Sequence, residues 1–205
     1  ETWEIGVKTN PTPDLRVNVA LFDTTYDDIQ LTYRLGVVPL LFNAGEASIS
    51  GAELEVNWML GDLVLDASAG FLENSIDKIT AVPGTTATVG PDNSLPYTPE
   101  STVSLGAGYD FRLGGWTLTP RVDATYTSSY FFDAANSVEV AQTDDVTTIN
   151  ANITLANDEG GWKAKLSVFN LTDELYPVMG NSSMTTAPGY AEIIYARPRN
   201  ITLSI

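Results

Sequence analysis

Thr102-Val103-Ser104-Leu105-Gly106-Ala107-Gly108-Tyr109-Asp110-Phe111 alternates without a break. Val103, Leu105, Ala107, Tyr109 and Phe111 fall on one side of an extended chain, and Thr102, Ser104, Gly106, Gly108 and Asp110 on the other. Side chains of a strand leave on opposite faces with period two, so the run predicts a strand with one apolar and one polar face. Residues 116–127 repeat the pattern, with Trp116, Leu118, Pro120, Val122, Ala124 and Tyr126 opposed to Thr117, Thr119, Arg121, Asp123, Thr125 and Thr127. Residues 63–72 do so again, and 16–22, 52–60, 149–155, 162–168 and 200–205 alternate as well. With residues 1–10 as a weaker case, about nine strands are expected.

The links between these strands come in two kinds, and the kinds take turns. Short links at 11–14, 61–62, 112–115 and 158–161 carry the Gly, Pro and Asp residues that suit tight hairpins. Longer polar links lie between them at about 27–39, 74–100, 129–145 and 172–192. A meander with short turns at one end and long loops at the other has the asymmetry of a transmembrane β-barrel. Trp58, Trp116 and Trp162 lie near short turns, where an aromatic girdle would cross a membrane interface, and Tyr126 lies near a long-loop end. The polar face is built mostly from Thr, Ser, Asn, Gly and Asp, which suits a wide watery lumen better than the Lys- and Glu-rich outside of a soluble sandwich.

Composition excludes other classes. Ten Lys and Arg against 26 Asp and Glu leave 10 − 26 = −16 charges over 205 residues. A chain this acidic, with no basic stripe, repels a phosphate backbone, so no nucleic-acid partner is expected. There is no His and no Cys. That removes Ser-His-Asp and Cys-His catalysis, thiolate or imidazole metal sites and disulfides. At 43% hydrophobic and 18% charged residues the chain is too apolar to stay disordered. No apolar run reaches the ~18 residues of a membrane-spanning helix. No basic region followed by an apolar stretch opens the chain, so an exported protein would be read here as a mature chain or an internal piece.

Several strings then carry a resemblance. Asn43-Ala44-Gly45-Glu46-Ala47 followed by Ser50-Gly51-Ala52-Glu53-Leu54-Glu55, and Leu95-Pro96-Tyr97-Thr98-Pro99-Glu100, resemble strand and loop-return segments of the TonB-dependent receptor family. The closing stretch resembles that family too: Phe169-Asn170-Leu171-Thr172-Asp173-Glu174-Leu175-Tyr176, then Gly189-Tyr190, then Ala196-Arg197-Pro198-Arg199 before a final strand. Order and spacing match over the whole chain. The resemblance implies an all-β antiparallel meander forming the C-terminal part, residues 1–205, of a roughly 22-stranded outer-membrane barrel whose plug and earlier strands are absent. It implies uptake of a scarce nutrient (a ferric siderophore, cobalamin or a carbohydrate), driven indirectly through TonB, with no enzymatic activity and no cofactor. The implied partners are outer-membrane lipid and lipopolysaccharide, the plug, the remaining barrel strands and a small-molecule or metal-chelate substrate; the implied location is the bacterial outer membrane. The chain departs from the family in lacking plug and TonB-contact segments, and in ending at Ile205 short of the family's terminal aromatic.

Two other readings stay open: a structural or adhesive outer-membrane β-assembly, and a soluble β-sandwich binding module. The second requires Leu105 and Val122 to be covered by another sheet. An envelope enzyme with a carboxylate pair is weighed as well, but no acid/base pair has convincing spacing. As ligand contacts in long loops, the residues singled out are Tyr130, Phe131, Phe132, Asp133, Tyr176 and Met179. Arg121, Asp123, Lys163 and Lys165 are expected to face the lumen or plug, and Trp58, Trp116, Trp162 and Tyr126 to form the girdle. No metal site is expected, since neither Asp27-Asp28 nor Asp144-Asp145 has calcium-loop spacing. Two β-bulges are expected, at Ser50-Gly51, where the phasing slips, and at Pro120, which removes a ladder hydrogen bond.

Overall fold

The computed structural model describes residues 1–35, 38–80, 89–91, 93–142, 144–184 and 189–205. The expected loops at 27–39, 74–100, 129–145 and 172–192 therefore lie partly outside the described residues. Alternating sequence becomes strand throughout. The elements are β1 (Thr2–Thr12), β2 (Leu15–Leu35), β3 (Val38–Leu60), β4 (Leu63–Ile79), β5 (Ser101–Tyr109), β6 (Phe111–Arg112), β7 (Trp116–Thr127), β8 (Val146–Asn157), β9 (Lys163–Phe169), β10 (Pro177–Ser182), β11 (Ala191–Tyr195) and β12 (Asn200–Ser204). One antiparallel sheet runs β1-β2-β3-β4-β5-β7-β8-β9-β12, with the short β6 also paired to β7, and β10 and β11 form a separate hairpin. Each of the nine expected strands has its counterpart in the main path.

The register fixes two faces across the whole sheet. Trp58, Leu65, Ala107, Val122, Ala151, Val168 and Ile201 are partners along one cross-strand row. A neighbouring row on the opposite face joins Glu55, Ser68, Ser104, Thr125 and Thr148. The apolar face is uncovered: Leu105 is 56% exposed, Val122 49% and Ile201 65%. A soluble sandwich would bury Leu105 and Val122, so that alternative fails. All four short links return at one end of the sheet, among them the two-residue turn between Leu60 and Leu63 with Gly61 at φ +64°.

At the other end the apolar residues change sides. By alternation from Glu55 and Asp66, Ala47, Ile49 and Ile76 belong to the polar, inner face. There they meet Leu31 and the loop residues Val89, Leu95 and Ala134 in a buried cluster. Burial of one such side chain contributes about 1.5–3 kcal/mol, enough to hold a loop against the wall.

This exchange corrects the expected bulge at Ser50-Gly51. The pairs Asp23↔Ser50, Phe22↔Gly51, Ser50↔Glu73 and Gly51↔Leu72 run without a shift. The phase slips because Ile49 joins the inner cluster. Glycine is needed at 51 because a Cβ would stand 2.5 Å from the Phe71 carbonyl oxygen and 2.7 Å from the Phe22 ring. The true irregularities lie further along, between Tyr26 and Gln30 of β2 and between Glu46 and Ala47 of β3. Asp28 takes a left-handed φ of +55° there. Beyond these bulges β2 and β3 continue as a hairpin to Leu35 and Val38, where the sequence predicted a loop over 27–39.

No residue is inserted at Pro120 either. Pro120↔Ile153 sits in an unbroken ladder with β8, and Gly108↔Arg121 and Phe111↔Leu118 keep one register on the other side. The missing N–H interrupts that second ladder instead, and the strand divides at Asp110 into β5 and β6. Asp110 turns its own N–H to the Asp62 carbonyl, 2.9 Å away.

Candidate functional site

Asp66, Gly106 and Asp123 occupy one inner-face row on β4, β5 and β7. Two carboxylates with only a hydrogen between them would repel. Arg121, one inward position along β7, reaches over the glycine and bridges them. Its Nε donates to both oxygens of Asp123 at 2.9 and 3.1 Å, and its Nη2 donates to Asp66 Oδ2 and Asp123 Oδ1 at 2.5 Å each. A Cβ at Gly106 would lie 2.2 Å from that Nη2. The triad lines a shallow depression of about 300 Å³ with Glu55, Asn57, Ser68 and Thr125. Three carboxylates against one guanidinium leave this part of the wall acidic.

Lys163 and Lys165 stand on the polar face of β9, opposite Ala156 and Thr154. They do not join the triad. Arg121 and Asp123 pair with each other, while Asp66, which completes the triad, is not among the residues that the sequence singles out. Its place on the polar face of residues 63–72 is the signal that marks it.

At the long-loop end the aromatic residues converge. The ring centroids of Tyr97 and Tyr130 are 6.2 Å apart, those of Tyr97 and Phe132 5.4 Å, and those of Tyr130 and Phe132 5.3 Å in an edge-on contact. Burial first, then the phenols of Tyr97 and Tyr176, hold the Tyr130 hydroxyl above its ordinary value, so it stays a neutral donor. Tyr97 is 51% exposed and takes a left-handed φ of +58°, uncommon for an aromatic residue. Its N–H donates to the Phe131 carbonyl at 2.8 Å, and Thr98 Oγ1 donates to the Leu95 carbonyl. Phe132 is buried. Asp133 accepts from the Ser137 N–H at 2.9 Å and so closes a turn of its own loop. Tyr176 is half-buried and Met179 exposed on the hairpin side. Tyr130 and Phe132 are thus brought together, and Tyr97, which sequence reasoning did not select, stands among them.

The segment Phe169-Asn170-Leu171-Thr172-Asp173 forms a turn that receives the last strand. Asn170 is buried at φ +51°; its Oδ1 accepts from the Glu174 N–H at 2.8 Å, and its Nδ2 donates to the carbonyls of Glu174 at 2.9 Å and Arg197 at 3.3 Å. Asp173 Oδ1 accepts from the Arg199 N–H at 2.7 Å. On the apolar face, the Trp116 and Trp162 rings pack at 4.8 Å beside the short turns, and Trp58 is exposed at the same end. Tyr126, near the opposite end of β7, donates its hydroxyl to Asp145 at 2.7 Å.

Among solved structures the chain is similar to the ferric yersiniabactin uptake receptor FyuA from Yersinia pestis, with a TM-score of 0.78 and 20% identity over 98% of this chain and 28% of that one. It is also similar to the siderophore receptor PiuA from Acinetobacter baumannii (TM-score 0.73, 22% identity, 98% of this chain, 27% of that one). A third likeness is to the ferric citrate transporter FecA (TM-score 0.66, 19% identity, 98% and 30%). These identities speak to fold, and the chain spans less than a third of each of those proteins. No curated protein sequence matches the chain. Over residues 1–171 it matches the family described as TonB dependent receptor-like, beta-barrel, and with the sheet built as above the chain belongs to that family.

Proposed function

We propose that residues 1–205 are the C-terminal part of the barrel of an outer-membrane TonB-dependent receptor, a non-enzymatic transporter for a scarce nutrient of the ferric-siderophore, cobalamin or carbohydrate class. The observation that carries the proposal is the two-sided sheet: nine strands present an uncovered apolar row outward and a polar, charged row inward. Lipid tolerates a strand only when every backbone group is paired and the lipid-facing side chains are apolar. On this reading the outer row meets outer-membrane lipid and lipopolysaccharide, Trp58, Trp116 and Trp162 mark the periplasmic interface, and Tyr126 marks the outer one. The strands missing from the circle and a plug come from elsewhere in the full receptor, with the plug against Arg121, Asp123, Lys163 and Lys165.

The substrate meets the loop face built on Tyr97, Tyr130, Phe131, Tyr176 and Met179, with Phe132 and Asp133 supporting it from beneath. Support for a metal-chelate cargo comes from the siderophore and ferric citrate proteins among the similar structures. The test uses the full-length receptor in cells with and without TonB, offered labelled ferric siderophores, cobalamin and oligosaccharides. Binding of one class in both strains with uptake only where TonB is present is the expected result. Uptake that persists unchanged without TonB, or recovery of the protein in the soluble fraction, overturns the proposal.

A further inference from the structure

Three separate stretches of chain stand above the long-loop end of the sheet: residues 93–100, residues 128–142 and the paired strands β10 and β11. We infer that they form one mechanical unit that opens and closes together, with Gly180 as the seam between the hairpin and the rest. The inference rests on contacts among loops and holds whatever the cargo is.

The first two stretches are tied in both directions. Ser94 N–H donates to Asn136 Oδ1 at 2.8 Å, and Asn136 Nδ2 returns to the Ser94 carbonyl at 2.9 Å. Asn93 Nδ2 donates to the Ala134 carbonyl at 2.8 Å, and Tyr97 N–H to the Phe131 carbonyl at 2.8 Å. Leu95 and Ala134 share the buried cluster with Ile76 of β4, and Asn74 of β4 accepts from the Leu95 N–H at 2.6 Å. Within 128–142, Tyr130 and Gln142 exchange backbone hydrogen bonds at 2.9 and 3.0 Å. Neither stretch can leave the wall without breaking paired, partly buried groups of the other.

The hairpin packs on the second stretch through a close approach at Gly180. A Cβ at Gly180 would lie 2.5 Å from both Val140 Cβ and the Val140 carbonyl oxygen, and 2.9 Å from Phe132 Cδ2. Two of those three atoms are backbone or the first atom of a branched side chain, so only the Phe132 ring can swing aside. Val140 is fully buried beneath the hairpin, and Ser182 Oγ donates to Glu139 beside it at 2.5 Å. Phe132 is the shared piece: one side touches Gly180, and its ring also packs on Tyr97 from the first stretch. A displacement of the hairpin therefore reaches residues 93–98 through Phe132.

The experiment is hydrogen exchange by mass spectrometry on the full-length receptor in outer-membrane vesicles, comparing Gly180→Leu with the unsubstituted protein. Local opening of a cooperative unit raises exchange in every part of it at once. Amides in 93–98, 130–142, β10 and β11 are expected to speed up together, by roughly tenfold or more for the loss of the packing and hydrogen bonds at the seam. Amides in β5, β7 and β8 should not change. Acceleration confined to β10 and β11 overturns the inference. Asn136→Gly works from the far side, keeping the left-handed backbone at φ +55° and deleting the amide; it should accelerate 177–182 as well, and failure to do so also overturns the inference. This second variant decides the matter if Gly180→Leu does not assemble, as judged by loss of the heat-modifiable gel shift of a folded barrel.

Discussion

Gly106→Ala and Gly108→Ala make the same chemical change two positions apart on the same inner face of β5, yet opposite signs are expected. Alanine in a strand interior is favoured over glycine by about 0.5–1 kcal/mol. At Gly108 the added Cβ would meet Arg121 Cβ and Cγ and the Pro120 carbonyl at 3.6–3.7 Å, ordinary contact distances. That variant should gain the full ~0.5–1 kcal/mol. At Gly106 the Cβ would fall 2.2 Å from Arg121 Nη2, 2.5 Å from Asp66 Oδ2 and 2.9 Å from Asp123 Oδ1. All three are ends of side chains, so the backbone stays and the guanidinium is driven off. The bonds from Nη2 to both aspartates are lost. Charge-assisted hydrogen bonds are worth about 1.5–3 kcal/mol when buried. Arg121, Asp66 and Asp123 keep roughly a third of their side-chain exposure, so solvent screening reduces each to about 1 kcal/mol. A loss of about 2 kcal/mol against a gain of 0.5–1 leaves Gly106→Ala less stable by about 1–1.5 kcal/mol. The assay is denaturant unfolding of the folded full-length barrel in detergent, followed by tryptophan fluorescence, with each variant also made on an Arg121→Ala background. There no guanidinium bridge remains to be broken and the two carboxylates, no longer held over the glycine, are free to turn away, so Gly106→Ala should become as favourable as Gly108→Ala. Equal effects at 106 and 108 in the parent, or a Gly106→Ala penalty that survives removal of Arg121, would refute the reasoning.

Asn170→Ala removes three hydrogen bonds and places a Cβ residue at φ +51° without its compensations. A cost of about 2–3 kcal/mol is expected, seen as faster exchange of the β12 amides 201–203, while Asn170→Gly loses the bonds without the backbone strain and should cost less. Leu105→Lys, at the middle of β5, should destabilise the barrel in lipid by about 2–4 kcal/mol, and Ser104→Lys, one residue away on the inner face, by much less; equal costs in a lipid-refolding assay contradict the assigned faces. The Glu139 carboxyl is held below its ordinary value of 4.5 by the Ser182 hydroxyl and its own backbone, against a small opposing effect of burial. A depressed carboxylate contributes its full stabilisation above its ordinary value and loses it as pH falls through the lowered one. Exchange protection of 177–182 should therefore drop on acidification below the ordinary glutamate range, and Glu139→Gln should flatten that dependence.

Local alternation was enough to place nine strands and both faces, because period two survives wherever one side meets water and the other does not. It failed where that contrast reverses. Ile49 follows the inner face into a cluster covered by loops, and an alternation rule reads the reversal as an inserted residue. The length of β2 and β3 was hidden for a related reason, since Asp27-Asp28 looks like a solvated loop while it forms a bulge inside a hairpin. The charge pair of Arg121 and Asp123 was legible at spacing two on one strand, whereas Asp66 lies 55 residues from its partner and needs the register to be found. The loop contacts were the least legible. Asn93 and Asn136 recognise backbone groups 41 and 42 residues away, and no local pattern marks an asparagine for such a role. Gly180 gave no signal either, because what it makes room for, Val140 and Phe132, comes from another loop.

The central claim is that the uncovered apolar row faces lipid and the polar row faces water. Residues 1–205 hold no cysteine, so single cysteines placed among them, with any cysteine elsewhere in the receptor replaced, report cleanly. Spin labels at positions 103, 105, 122, 153 and 203, and at 104, 123, 125, 152 and 202, in the full-length receptor in bilayers, should alternate with period two. The first set is predicted to be relaxed by lipid-soluble oxygen and the second by a water-soluble nickel chelate. Accessibility to the nickel chelate on both faces, or protection of the first set from both reagents, would contradict a barrel wall in lipid.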